Sequence, residues 1–285
     1  MDRKSWFAIC LGALSLSAAA PAEATTIGQL APGSPSAICG FQHLDTVQTT
    51  VTSGNSYTVP PFGARIVSWS TNAGSSGGIP QNYTFKVFRP TGPSRFMVVA
   101  HDGPRLLTDG TLNSFAVNIA VQPGDIIGLY WDTGGVSTAC EFVATSHDDY
   151  LENPGNLPDG SSADFTPHGG DFRLNVSAEV KPSNSFSLGK PKANPGRGTA
   201  TVPATLPGPG ELAVSGKGVR ASSAGAVESL KVGGPGVMKV KIKPLGKTRS
   251  RLRATGKAKV QPTITYTPTG GDASSQKRKV RLSLR

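Results

Sequence analysis

The sequence predicts an all-β protein of two consecutive β-sandwich domains, the first jelly-roll-like and the second immunoglobulin-like. Three observations point there. Short runs of alternating apolar and polar residues recur between Gly, Pro, Asn and Asp turns. No stretch after the N-terminal region keeps the i, i+3, i+4, i+7 apolar spacing of an amphipathic helix. The net charge also splits sharply along the chain. Residues 25–180 hold 6 Lys/Arg against 13 Asp/Glu, a net of −7, and residues 181–285 hold 21 against 3, a net of +18. The overall +11 is therefore the difference between an acidic half and a basic half.

Taken in order, residues 1–24 read as a signal peptide. Arg3 and Lys4 precede an uncharged run from Trp6 to Ala20, and Ala22-Glu23-Ala24 fits a small-x-small cleavage site. The run is shorter than the ~18–20 apolar residues that span a bilayer, so the chain is expected to be exported, with no transmembrane segment after cleavage. Cys10 leaves with the signal. Two cysteines in an exported chain most simply pair, so a Cys39–Cys140 disulfide is expected. In the chain-entropy model, closing a loop of about 100 residues contributes roughly 4–5 kcal/mol.

Within 25–180, strands are expected at 46–51, 64–71, 83–89, 96–100, 115–121, 126–131, 139–144 and 172–180. In the fifth of these, Phe115, Val117, Ile119 and Val121 alternate with Ala116, Asn118 and Ala120, and Gln122-Pro-Gly-Asp125 turns the chain into the next. Eight strands over this length fit a two-sheet sandwich of jelly-roll size. Residues 181–184, Lys-Pro-Ser-Asn, form a short polar linker. Within 185–285, strands are expected at 186–188, 199–202, 211–215, 237–243, 259–267 and 279–284, the spacing of an immunoglobulin-like sandwich.

Several blocks of this half resemble a module found at the C-termini of secreted actinobacterial proteins. They are Phe186-Ser-Leu-Gly-Lys190, Gly198-Thr-Ala-Thr-Val202, Leu206-Pro-Gly-Pro-Gly210, Leu212-Ala-Val-Ser-Gly-Lys-Gly218 and Pro268-Thr-Gly-Gly271. The resemblance covers residues 185–285 and implies an extracellular immunoglobulin-like accessory domain. It carries over no catalytic residue. Val121-Gln-Pro-Gly-Asp-Ile-Ile-Gly-Leu129 is only loosely similar to secreted jelly-roll domains.

The basic half offers a surface for an anionic partner. Lys239, Lys241 and Lys243 alternate with apolar residues, as do Lys277, Lys279 and Arg281. Arg249, Arg251 and Arg253 repeat the alternation and are read the same way, as one face of a strand. The expected partner is an anionic cell-wall polymer or polysaccharide. The bland alternative is a solvated surface whose edge lysines discourage strand-to-strand association. Specific nucleic-acid recognition is not expected, because Phe186 and Tyr266 are the half's sole aromatics and single-strand binders interleave stacking rings with the charge.

The acidic half gathers Asp148, Asp149, Glu152, Asp159, Asp164 and Asp171 in a Gly/Pro/Asn-rich loop over 147–170 and just beyond it. Ca²⁺ takes six to eight oxygens from such material, so these residues are a candidate calcium site, though no defined calcium-loop spacing is present. Trp69, Tyr130 and Trp131 are candidate sugar-stacking residues. Trp69 lies mid-strand, where core packing is the simpler role, and Trp131 lies at a strand end, where exposure is expected. His43, His101, His147 and His168 form no recognisable catalytic pattern. Adjacent pairs such as His101-Asp102 point to opposite faces of a strand, and neither a Gly-x-Ser-x-Gly elbow nor a His-Glu-x-x-His helix occurs. The reading is a non-enzymatic, extracellular or envelope-associated binding or structural protein without a required cofactor. In it the basic domain docks to envelope polymer and the acidic domain presents a ligand surface. A carbohydrate-binding module and a cryptic hydrolase are the alternatives.

Overall fold

A computed structural model describes residues 24–33, 39, 43–132, 139–144, 148, 150–220 and 229–285. Residues 1–23, which hold most of the segment read as a signal peptide, and His147 and Asp149 lie outside the described residues. The chain is an all-β, sandwich-like fold of antiparallel sheets with one short helix. Among the described residues no helix is long and apolar enough to cross a membrane.

The acidic half is built on eight strands: β1 (Thr25–Gln29), β2 (His43–Val47), β3 (Gly63–Asn72), β4 (Asn82–Pro90), β5 (Arg95–Leu106), β6 (Leu112–Ala120), β7 (Ile126–Asp132) and, after several short ones, β13 (Val176–Pro182). One sheet has the order β1-β13-β3-β6 and the other contains β5-β4-β7-β2. Counting only these eight along the chain, the orders are 1-8-3-6 and 2-7-4-5, the two interlocked Greek keys of a jelly roll. The sheets face each other across a core in which Trp69 of β3 stacks on Phe85 of β4 with ring centroids 5.3 Å apart. At the β6–β7 turn Pro123 sets the entry and Gly124 takes φ +90°. Asp125 then accepts a bond from the Gln122 N–H (2.7 Å) and an ion pair from Arg89 (2.8 Å). This is the turn chemistry of Pro followed by Gly.

The expected acidic loop is more ordered than its composition suggests. It contains β9 (Leu151–Pro154), β10 (Ser162–Asp164) and β11 (Thr166–Pro167), preceded by β8 (Glu141–Val143) and followed by β12 (Phe172–Leu174), which pairs with β8. Strand β9 pairs with β2 at one edge of the larger sheet, and β10 pairs with β5 at the other. Residues 155–161 must therefore cross the outer face of β2-β7-β4-β5. After the single residue Phe165, β11 pairs with β9. Phe165 is buried there against the edges of Phe88 and Phe96. The larger sheet is thus covered on both faces, which explains why β4 is buried at nearly every position.

The basic half adds β14 (Ser187–Leu188), β15 (Lys192–Asn194), β16 (Thr199–Leu206), β17 (Gly210–Ser215), β18 (Val219–Arg220), β19 (Ser229–Val232), β20 (Gly236–Pro244), β21 (Lys257–Val260), β22 (Thr263–Pro268), β23 (Ser274–Lys277) and β24 (Val280–Ser283). The sheets are β14-β16-β20-β18, with β15 also on β16, then β19-β17-β22-β23, and a β21-β24 ribbon. Its buried apolar residues form a cluster of their own from Phe186 to Leu282, separate from the cluster running from Ile27 to Val180. Between the two, β13 extends through Pro182 into the segment read as a linker. Lys181 bonds Asp272 at 3.0 Å.

One element departs from the strand reading. Gly246–Thr255 is a helix, α1, that begins after extended Leu245 and ends at Gly256 in the left-handed region (φ 69°). Arg249, Arg251 and Arg253 therefore do not share a strand face. Helical geometry turns Arg251 roughly 200° from Arg249, and only Leu252 of the helix is buried. The expected strand over 279–284 is likewise shorter, because the chain changes sheet between β23 and β24.

Candidate functional site

The basic half brings its cations together most closely on the β21-β24 ribbon. Lys257 faces Ser283 and Lys259 faces Arg281 in the antiparallel register. Alternation sends Ala258, Val260, Val280 and Leu282 into the core and leaves Lys257, Lys259 and Arg281 exposed, with Lys279 just before β24. Helix α1, which packs beside β21, contributes Arg251, and β15 contributes Ala193. Together they line an open groove of about 550 Å³ bearing Arg251, Lys257, Lys259 and Arg281. A second depression continues past Lys259 and Arg281 to Lys279 and Gln261. Among the described residues none of these five cations has a carboxylate partner. The half contains only three acidic residues, Glu211, Glu228 and Asp272. A groove walled by four to five cations with no internal counter-charge holds a positive potential that attracts anions from solution.

The remaining predicted cations lie elsewhere. Lys239, Lys241 and Lys243 project from β20 between buried Val240 and Ile242. Lys241 stands opposite Thr201, which stands opposite Lys192. Lys277 ends β23 in the other sheet. Arg249 and Arg253 are exposed on α1. Of the nine cations read from the sequence, Arg251, Lys279 and Arg281 converge. Lys257 and Lys259, which complete the groove, were missed as site residues although Lys257-Ala-Lys-Val260 carries the same alternation.

Among the described residues the carboxylates of the candidate calcium site do not converge. Asp148 is buried and ion-paired to Arg173, and it also accepts the Thr52 N–H at 2.7 Å. Glu152 pairs with His168 at 2.8 Å, Asp159 with His101 at 2.8 Å, and Asp164 with Arg95 at 3.0 Å. Asp148, Glu152, Asp159 and Asp164 are thus each held by a different basic side chain. Among the described residues the one group of three metal-ligand side chains is Cys39, Cys140 and Glu141. Cys39 and Cys140 are joined as a disulfide, with Cα atoms 6.2 Å apart, so their sulfurs are not thiolate ligands.

The candidate sugar-stacking aromatics are core residues. Trp69 is fully buried and donates its Nε1–H to Asp102 at 2.7 Å. Trp131 is 2% exposed and meets the Tyr150 ring edge-on at 6.2 Å. The exposure expected for Trp131 at its strand end is not found, since Tyr150 leads into β9 and closes over it. Tyr130 faces the other way and is buried too, under the segment that crosses the outer face. None of the three offers a flat ring to a sugar.

Two of the described histidines, His101 and His168, are held by neighbouring side chains. His101 and Asp102, adjacent in β5, go to Asp159 and to Trp69 and Arg105 respectively. His168 stacks on Tyr150 at 4.5 Å. Comparison with known proteins finds no matching family model, curated protein or solved structure.

Proposed function

We propose that the chain is an exported, non-enzymatic protein of two sandwich domains, in which the basic domain docks on an anionic polymer of the cell envelope and holds the acidic jelly roll beside it. The observation that carries this reading is the groove of Arg251, Lys257, Lys259, Lys279 and Arg281, a concentration of cations with no acidic partner. Two further points support it. A net of +18 in 105 residues exceeds the charge of about 2–8 that keeps a small domain soluble. The blocks between Phe186 and Gly271 resemble a module of secreted proteins. An extended polyanion suits the site better than a small ligand, because the groove is open and its cations continue along the ribbon.

The test is retention of the full mature chain on immobilised polyuronate or teichoic acid at low salt. The expected result is strong retention that falls as salt shortens the Debye length to ~10 Å at 0.1 M. In the triple variant Lys257→Glu, Lys259→Glu, Arg281→Glu it should be abolished. No retention of the parent chain, or equal retention of the variant, would remove the proposal.

A further inference from the structure

Lys86 lies in the middle of β4, a central strand, and is 1% exposed. Lysine is almost never so buried without partners, and here its amine is surrounded by them. Nζ donates to Asn156 Oδ1 at 2.8 Å and to the Leu157 carbonyl at 2.8 Å. It sits 2.5 Å from Asp45 Oδ1. The Tyr130 ring lies 5.1 Å away. Asp45, on β2, is itself fully buried, and its Oδ2 accepts the Leu157 N–H at 2.7 Å. The cluster sits on the outer face of the sheet, beneath the segment that runs from β9 to β10.

As a purely ionic device this arrangement gains little, since desolvating both charges offsets most of their attraction. As chemistry it is well furnished. Burial, the largest influence on each group, pushes the Lys86 amine below its ordinary range and the Asp45 carboxyl above its own. Both shifts favour a neutral amine beside a neutral acid. A neutral amine is a nucleophile, and the amide it touches is an electrophile held in contact, where proximity replaces a bimolecular encounter. The acid can donate a proton and take one back.

We propose that Lys86 and Asn156 condense into an intramolecular amide, with Asp45 as the proton shuttle. The Nζ lone pair adds to Asn156 Cγ, and Asp45 supplies a proton to the oxygen as it gains charge. The amine proton released from Nζ passes through Asp45 to Nδ2, and the oxygen gives its borrowed proton back to Asp45 as the C=O re-forms. The Cγ–Nδ2 bond breaks, ammonia leaves, and an Nζ–Cγ bond remains. No oxidant, reductant or co-reactant is consumed. The new bond ties the crossing segment to the centre of the sheet it covers, a second covalent staple beside the disulfide.

Intact mass spectrometry of the exported chain, denatured and reduced, reads the outcome directly and depends on no variant folding. The mass should fall short of the sequence mass by one ammonia. Proteolysis should yield a branched peptide joining Lys86 to Asn156, with no tryptic cut after Lys86. Lys86→Met and Asn156→Ala should each restore the full mass, and Asp45→Asn should leave most of the chain uncondensed. The full sequence mass in the parent chain overturns the proposal. So does a deficit of one water mapping to Lys86 and Asp45, or an ammonia loss that maps to a succinimide with no branched peptide.

Discussion

Arg173 shows how much one side chain can hold in place. Besides its ion pair with Asp148 it donates to Gln29 Oε1 (2.8 Å), Ser53 Oγ (3.0 Å) and Thr52 Oγ1 (3.3 Å), joining β12, the end of β1 and the turn after β2. Both charges are buried, so removing the guanidinium strands a carboxylate in a dry site. Arg173→Met is expected to lower stability by about 3–5 kcal/mol, read from the urea midpoint, and Arg173→Met with Asp148→Leu should recover a large part of that loss. Asp102 makes a pH-dependent contribution. Burial alone would raise its pKa, but hydrogen bonds from Arg105 and Trp69 outweigh that and hold it below the ordinary carboxylate value. A depressed folded-state pKa gives stability that is present above the unfolded value of ~3.9 and is lost as pH falls through the folded one. The stability gap between the parent and Asp102→Asn should therefore be constant near neutrality and shrink below about pH 4. A gap that does not change with pH would show that the hydrogen bonds do not favour the charged form. At this scale the sequence was partly legible. Trp69 reads as core from its mid-strand position. Trp131, Lys86 and Asp148 do not, because what buries them is a distant segment whose Gly, Pro and Asn content looks like solvated loop.

The strands were legible where alternation is strict and one face is wet, as in β6, β17 and β20. They were less legible where both faces are covered. β4 reads as an alternating strand, yet Thr84, Lys86 and Phe88 on its supposed outer face are as buried as Tyr83, Phe85 and Val87. The arginine-rich segment misled for a different reason. In Lys-Thr-Arg-Ser-Arg-Leu-Arg, polar residues fill every position but one, so neither a period of two nor of 3.6 can be read from apolar spacing. Gly256 beyond it was the usable signal, since a glycine in the left-handed region ends helices. The backbone of β7 makes a sharper prediction. A Cβ on Gly128 would lie 1.9 Å from the Thr46 carbonyl oxygen and 2.9 Å from the Phe88 ring. No rotamer relieves a clash with the backbone of the neighbouring strand, so β2 and β7 would have to separate. Gly128→Ala should cost about 3 kcal/mol or more, whereas Ala at Gly233, which has open space around it, should be near neutral. Similar thermal midpoints for the two variants would contradict this account of the β2–β7 pairing.

For the whole molecule, the charge boundary visible in the sequence falls where the buried apolar residues change cluster, between Val180 and Phe186. Among the described residues no sheet spans that boundary; contacts across it include the Lys181–Asp272 pair, Phe62 over Gly208, and Pro182 against Gly271, with Pro60, Pro61, Pro207 and Pro209 lining a cavity of about 190 Å³ there. Two apolar cores joined this way have little to make them unfold together. The disulfide adds an asymmetry that separates them, because Cys39 and Cys140 both belong to the acidic half and close 101 residues of it. Constraining a loop of that length is worth roughly 4–5 kcal/mol in the chain-entropy model. Reduction should therefore lower the stability of residues 25–180 and leave that of residues 185–285 unchanged. Calorimetry of residues 25–285, with and without reductant, should show two transitions of which only one moves. Near-ultraviolet signals can assign them. Beyond residue 24 the tryptophans are Trp69 and Trp131, both in the acidic half, while the basic half has Phe186 and Tyr266 alone as aromatics. The tryptophan signal should follow the transition that shifts. A single transition that moves as a whole would mean that the interface couples the two cores, and would place the cationic groove and the jelly roll in one cooperative unit.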